Sequence, residues 1–285
     1  MVKLGKGKVI LLPCLRNTGS ENIFCTSSVA YKNEQENYYD ANIKVYSELN
    51  NIISNIHGES QLIELLSKDG NISNRKYLND GVNLIIKNCL RLTKTINNII
   101  DVTKFEKKQT QLYANNVNIV EIIDSIVINT SKQIKGKIIF DTDIEEKYIS
   151  CDISKLQKAV LILLSIAVKY SHEKEVSVYL STVEDQININ ISFNNINKIL
   201  FNDYLNKMDN LSPEDLDELS LNFYLVKSLI YLHEGRISVG GTGDETIFKI
   251  ELPCNNTDTV YYFCNNKIID ESLNQQIQIE FSDIC

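Results

Sequence analysis

Residues 78–99 read LNDGVNLIIKNCLRLTKTINNI. Leu78, Ile85, Leu92 and Ile99 fall seven apart, and Val82, Cys89 and Ile96 fill the positions between them. This 4-3 spacing puts an apolar stripe along one side of a helix that packs against other helices. Upstream, Leu49, Ile56 and Ile63 also repeat at seven, with Ile52/Ile53 and Leu66 between them. A second amphipathic helix therefore precedes the first, joined to it by the short break Lys68-Asp69-Gly70-Asn71, with Ser73 as N-cap of the later helix. The earlier stripe is interrupted at Glu59 and Ser60, and His57 and Gly58 sit beside the interruption. Gly81 is a weak spot in the later helix, costing roughly 1 kcal/mol relative to Ala. A hairpin of two helices leaves its stripe half covered. Two copies would bury it in a four-helix bundle, so a homodimer is expected; the alternative is that the stripe packs on the chain's own C-terminal part.

The remainder is ordinary in bulk. The chain has 285 residues, 43% hydrophobic and 23% charged, which suits two globular domains plus tails and excludes wholesale disorder. A formal charge of −8 with no basic stripe argues against nucleic acid as a partner. Seven scattered cysteines without a CxxC pair point to a reducing, cytoplasmic setting and to neither a disulfide framework nor a zinc site. No apolar run is long enough for a membrane span. Val9–Leu12 behind three lysines is too short for a signal peptide, and Gly5–Lys8 lacks the spacing of a phosphate-binding loop.

Four regions are expected: a weakly structured leader (1–40), the hairpin (41–112), an α/β layer sandwich (113–254) and a tail (255–285). Val117–Val127 reads as a helix, Lys137–Thr142 and Tyr148–Cys151 as strands, and Leu156–Tyr170 as a buried helix capped by Asp152 or Ser154. Val176–Val183 and Ile187–Phe193 alternate as paired antiparallel strands do. Ser212-Pro213-Glu214-Asp215 starts a helix that runs, with an interruption allowed, to His233. Strands at Arg236–Val239 and Thr246–Leu252 follow, and the tail adds two candidate strands, Val260–Cys264 and Ile277–Phe281. The fold class is α+β.

This order of elements resembles a bacterial two-component sensor histidine kinase, and more closely the core of clostridial-type kinases. The strings that carry the resemblance are RLTKTINNIIDVTKFE (91–106), VNIVEIIDSI (117–126), CDISKLQKAVLILLSIAVKYS (151–171) and LVKSLIYLHEGRISVGG…IFKIELP (225–253). The resemblance implies a dimerising, histidine-bearing hairpin followed by a GHKL-type ATP-binding domain.

Three of the family's nucleotide motifs are altered. The family's Asn-x-x-x-Asn, whose second Asn ligates Mg²⁺, falls at Ile162 and Ile166, which offer no oxygen to a hard cation. Its Asp-x-Gly-x-Gly turn falls at Asn194, Ile196 and Lys198, where the close backbone approach that glycine permits is lost. Its second glycine motif falls at Glu218-Leu219-Ser220-Leu221-Asn222, so Ser220 and Asn222 stand in a glycine-free stretch with a carboxylate beside them. Lys169 and Tyr170 do match. The phosphoacceptor histidine is open between two registers. An ungapped alignment puts Gly58 at that position with His57 one residue before it. A one-residue deletion makes His57 the acceptor but puts Gly58 where the catalytic acid belongs.

Three functional readings follow. The first is a pseudokinase that binds a kinase or response regulator and needs no cofactor. The second is a phosphotransfer protein in which His57 takes a phosphoryl group from a receiver domain. The third is an active protein-histidine kinase, which alone requires ATP and magnesium. His172 and His233 are read as structural.

Overall fold

The computed structural model describes residues 47–284 except 48, 68–74, 135, 173–174, 196–197, 208–216 and 255–265. The leader, Ser73, Ile196, Ser212–Asp215 and Val260–Cys264 therefore lie outside the described residues.

Helix α1 (residues 49–67) packs against α2 (Arg75–Glu106) as a hairpin. On α1 the inward positions are Leu49, Ile52, Ile56, Glu59, Ile63 and Leu66, an unbroken 3-4 pattern in which Glu59 takes one turn of the stripe. The facing residue is Gly81: a Cβ there would sit 3.2 Å from Ile63 Cγ1 and 3.5 Å from Glu59 Oε2. The polar break in one helix is thus matched by a missing side chain in the other. Gly81 makes the close approach that offsets its helix penalty.

After α2 come β1 (Asn115–Asn118), α3 (Ile119–Gln133), β2 (Lys137–Thr142), β3 (Tyr148–Cys151), α4 (Ile153–Tyr170), β4 (Glu175–Val183), β5 (Gln186–Asn194), α5 (Lys198–Lys207), α6 (Glu218–Leu232), β6 (Arg236–Gly240), β7 (Glu245–Pro253) and α7 (Asn266–Glu280). The main sheet has order β2-β4-β5-β7-β6, with β2 parallel to β4 and every other pair antiparallel. Register aligns Phe140, Val178, Ile191, Phe248 and Val239 in one row across all five strands. Such cross-strand neighbours form a continuous apolar floor. Helix α4, buried on nearly every side, lies on that floor beside α3 and α6. Phe201, Phe223 and Phe248 meet edge-on or tilted at 5.4–6.1 Å above it. A second, two-stranded sheet pairs β1 with β3.

Two expectations are corrected, at Val117–Val127 and at Ile277–Phe281. Val117–Val127 is not one helix: residues 115–118 form a strand, and α3 starts only after Asn118, whose side chain accepts from Val120 N. Asp217, an extended residue (φ −89°, ψ 175°), caps α6, which falls within the interruption allowed before His233; the expected start at Ser212–Asp215 lies outside the described residues. Ile277–Phe281 is no strand. It ends α7 and the turn after it, with Leu273, Ile277 and Phe281 fully buried at helical spacing. Alternating Ile277 and Ile279 imitate a strand, but position 279 is only half-buried while 273 and 281 keep the four-residue period.

Helix α2 presents two faces. Lys94, Asn98 and Asp101 meet the C-terminal domain, with Lys94 and Asn98 buried. Val82 and Ile96 of the heptad stripe stay 45% and 42% exposed. The chain's own C-terminal domain therefore covers the polar face and leaves the outward edge of the stripe open. No helix among the described residues is long and apolar enough to cross a membrane.

Candidate functional site

Two helix starts frame the site, one capped by the buried Asp152 and the other by the exposed Asp217. Asp152 caps α4 by accepting from Lys155 N and also accepts from Tyr113 N at 3.0 Å. Burial alone would raise its carboxyl, but hydrogen bonds from Lys155 and from these backbone groups hold it below the usual range. His233 ties this corner together: its Nε2 accepts from Asp152 N at 3.1 Å, and Nδ1 lies 2.7 Å from Leu229 O. His233 thus braces the end of α6 against the start of α4. Asp217 caps α6, accepting from Ser220 N at 2.7 Å and from the Tyr204 hydroxyl at 2.7 Å.

Between these helices lies a pocket of about 160 Å³ lined by Ser165, Ile166, Lys169, Tyr170, Asp217, Glu218, Leu219 and Asn222, together with Lys94 of α2 and Glu280, Asp283 and Ile284 of the C-terminal segment. The fold thus gathers Ile166 and Asn222 around one space, with Ser220 beside it in the first turn of α6. Ile162 is fully buried beneath and does not line it. Asn194 is exposed at the end of β5, outside the pocket wall; its neighbour Asn195 is buried and donates to Tyr170 O. Lys198 opens α5, a helix the sequence patterning did not reveal. His57 is exposed on α1 and is not part of this pocket.

Charge in the pocket is already paired. Lys94 Nζ donates to Glu218 Oε1 (3.2 Å), Glu280 O (3.2 Å) and Asp283 Oδ2 (3.1 Å). An ammonium has three N–H groups, and all three are spent. Lys169 Nζ lies 3.5 Å from Glu218 Oε2, and Arg91 Nε lies 2.6 Å from Asp283 Oδ1. Burial would lower the Lys94 ammonium, but Glu280, Glu218 and Asp283 together raise it. It keeps its proton even with Glu280 neutral, because Asp283 and Glu218 are within 3.2 Å. Burial would raise the Asp283 carboxyl too, yet hydrogen bonding with Glu218 and the Lys94 charge hold it well below the usual range.

Glu280 behaves oppositely. It is buried, its Oε2 has no hydrogen-bond partner, and burial raises its carboxyl despite Lys94 and Lys158. A group raised on folding lends stability below its unfolded pKa and withdraws it as pH climbs through the folded value. Glu280→Gln is therefore expected to be more stable than the parent at about pH 8 and to narrow that advantage towards about pH 4. Urea midpoints across this range check it; parallel pH profiles would contradict it.

Neither magnesium nor a nucleotide phosphate fits these residues. The position that would supply a metal oxygen is Ile166, 3% exposed and aliphatic. The helix start that would receive phosphate carries Asp217 and Glu218. A space of about 160 Å³ is also well below the roughly 300–1,000 Å³ of small-molecule sites.

No family model matches the chain. Solved structures do. The histidine kinase AdeS of Acinetobacter baumannii aligns with a TM-score of 0.52 at 18% identity, over 73% of this chain and 98% of that one. The histidine kinase ThkA, solved in complex with the response regulator protein TrrA, aligns at 0.55 and 15% identity, over 84% of this chain and 68% of that one. The chain has the fold of a histidine kinase core. Full-length ShkA, solved with AMPPNP, aligns at 0.50 and 15% identity, over 74% of this chain and 45% of that one. Within the histidine-kinase fold, the residues that sequence reasoning missed are Lys94, Glu280 and Asp283. Lys94 lies off the apolar stripe and reads as a solvated lysine. Glu280 lies in a segment read as a strand, and Asp283 lies two residues beyond that segment.

Proposed function

We propose that this protein is a two-component signalling protein that has kept the histidine-kinase scaffold and given up ATP chemistry, acting as a homodimer that binds a kinase or a response regulator. The observation that carries the reading is Lys94: the pocket's most buried cation is fully committed to carboxylates and a carbonyl of its own chain. With Ile166 beside it, nothing in that space recognises a magnesium-bound triphosphate. The complex of ThkA with its response regulator supports a receiver domain as the kind of partner.

The open edge of the α2 stripe supports the dimer. Cys89 lies on that edge and is exposed in the single chain, whereas Cys151 is buried with its thiol pushed up to about 12 by burial and the nearby Asp152. Alkylation followed by peptide mass mapping is expected to find Cys151 inert in every sample. Cys89 should react slowly in the parent dimer and roughly tenfold faster in Leu92→Asp, which should elute as a monomer. Fast Cys89 alkylation in the parent, with a monomeric mass by light scattering, would contradict the dimer.

Partner binding is tested by titrating a phosphorylated receiver domain against the full chain. On this reading, binding survives His57→Ala and is lost in Leu92→Asp; loss of binding on His57→Ala alone would count against it. One observation favours a second reading, phosphotransfer: His57 is exposed on a regular helix and open to a receiver domain. That reading requires acid-labile label on the chain that disappears in His57→Ala. Label that persists in the variant, or never forms, rules it out.

A further inference from the structure

The contacts that hold the C-terminal segment differ in kind on its two sides. Towards α3 and α4 they are mostly apolar: Leu273, Ile277 and Phe281 are each no more than 1% exposed and belong to the domain core, beside a hydrogen bond from Gln133 Nε2 to Asn274 Oδ1 at 2.7 Å. Towards α2 they are ionic, with Asp283 held by Arg91 at 2.6 Å and by Lys94 at 3.1 Å. The other contacts of α2 with the domain along this stretch are also polar: Lys94 with Glu218, Asn98 Nδ2 donating to Asn222 Oδ1 at 3.2 Å, and Lys158 with Asp101 at 2.6 Å. Among the described residues, the α2 side chains packed on the apolar domain core are Val102 and Phe105, near its C-terminal end. From Phe105 back to Lys94 the helix rises about 16 Å. The helix therefore rests on an apolar fulcrum at one end and is gripped by charge further along.

We propose that the C-terminal segment is an intramolecular clasp: anchored in the domain core by Leu273, Ile277 and Phe281, it uses the Asp283 carboxylate to grip Arg91 and Lys94 and so couples the hairpin to the α/β domain without any bound ligand. Releasing that one carboxylate loosens α2 on the N-terminal side of Val102, leaving it to Lys94 with Glu218 and the Glu280 carbonyl, Asn98 with Asn222 and Asp101 with Lys158, while α7 stays docked. The chemistry suits a switch. Apolar packing is indifferent to salt, but an ion pair that is one-third exposed at Arg91 weakens with ionic strength and yields to a competing charge. The clasp also explains why the pocket needs no occupant, since Asp283 and the Glu280 carbonyl complete the Lys94 shell that an outside anion would otherwise satisfy.

The test is hydrogen exchange by mass spectrometry on the full chain and on Asp283→Asn. Exchange in residues 88–98 and 281–284 is expected to rise roughly tenfold in the variant, with α4 and β5 unchanged. In the parent, residues 88–98 should exchange faster on going from about 0.05 M to about 1 M sodium chloride, and in the variant, where the Lys94–Glu218 and Lys158–Asp101 pairs remain to be screened, the salt effect should be clearly smaller. Should Asp283→Asn fail to fold, Arg91→Gln removes the same ion pair from its exposed side and carries the same expectations. Exchange in residues 88–98 within about twofold of the parent overturns the proposal. So does a rise shared equally by α4 and β5, which would make Asp283 a general stabiliser and not a clasp.

Discussion

Lys94→Met is expected to lower the free energy of unfolding by about 3–5 kcal/mol, the range for removing one partner from a buried charge cluster. Methionine matches the lysine stem in length, so the loss is electrostatic and not a cavity. Lys94 is 5% exposed and sits among Glu218, Asp283 and the carbonyl of Glu280. Without the ammonium, Asp283 keeps its ion pair with Arg91 and the more distant charge of Lys169, and the Glu280 carbonyl loses the Lys94 donor. Two responses are open to the carboxylates: protonation, or opening of the segment to water. Either one shifts the loss with pH, so the destabilisation should shrink in acid as the Asp283 carboxylate, held low by Lys94 in the parent, takes up its proton. Urea unfolding at neutral and acid pH measures it. A midpoint unchanged at neutral pH would mean that the cluster is solvated and the ion pairs idle.

Ile162→Asn carries the second large expectation. This substitution restores, at one position, the residue type found in the kinases that the sequence resembles, yet it should break the protein by about 4 kcal/mol or more and confer no nucleotide binding. Ile162 is fully buried inside α4 and does not reach the pocket. An asparagine there buries an amide among aliphatic neighbours and leaves space where a methyl was, and each effect alone costs on the order of 1–3 kcal/mol. Ile166→Asn is different, because that side chain lines the pocket and its amide has polar neighbours; it should fold. Thermal melts of the two variants separate the positions. Equal stability would mean that the core around α4 is looser than its burial indicates.

These variants mark what could be read in the chain and what could not. The heptad of α2, the buried α4 and the alternating β4, β5 and β7 are local patterns that burial enforces, so their periods are visible in the residues themselves. Asp152 at the start of α4 was legible as a cap for the same reason. The polar break at Glu59 looked like a defect because its complement, Gly81, lies on the other helix. Only the pairing shows that the two fit. The segment at Ile277–Phe281 was misread because two isoleucines two apart imitate a strand when the deciding residue, Leu273, falls outside the window. Lys94 could not be read at all. Its burial depends on carboxylates more than a hundred positions away, and a lone lysine on a polar helix face otherwise means solvent. The altered nucleotide positions were legible as departures in type. That Ile166 and Asn222 share one pocket, while Asn194 lies outside it, is a fact of the fold.

The measurement that bears most directly on the proposed loss of ATP chemistry is isothermal titration of the full chain with magnesium-ATP at millimolar nucleotide, with the heat of dilution subtracted. The account predicts no saturable heat. The reason is that Lys94 is spent on its own chain, Ile166 offers no oxygen to magnesium, and Asp217 and Glu218 oppose the phosphates at the start of α6. A saturating isotherm with a dissociation constant below about 1 mM, equivalent to roughly 4 kcal/mol of binding, would contradict it.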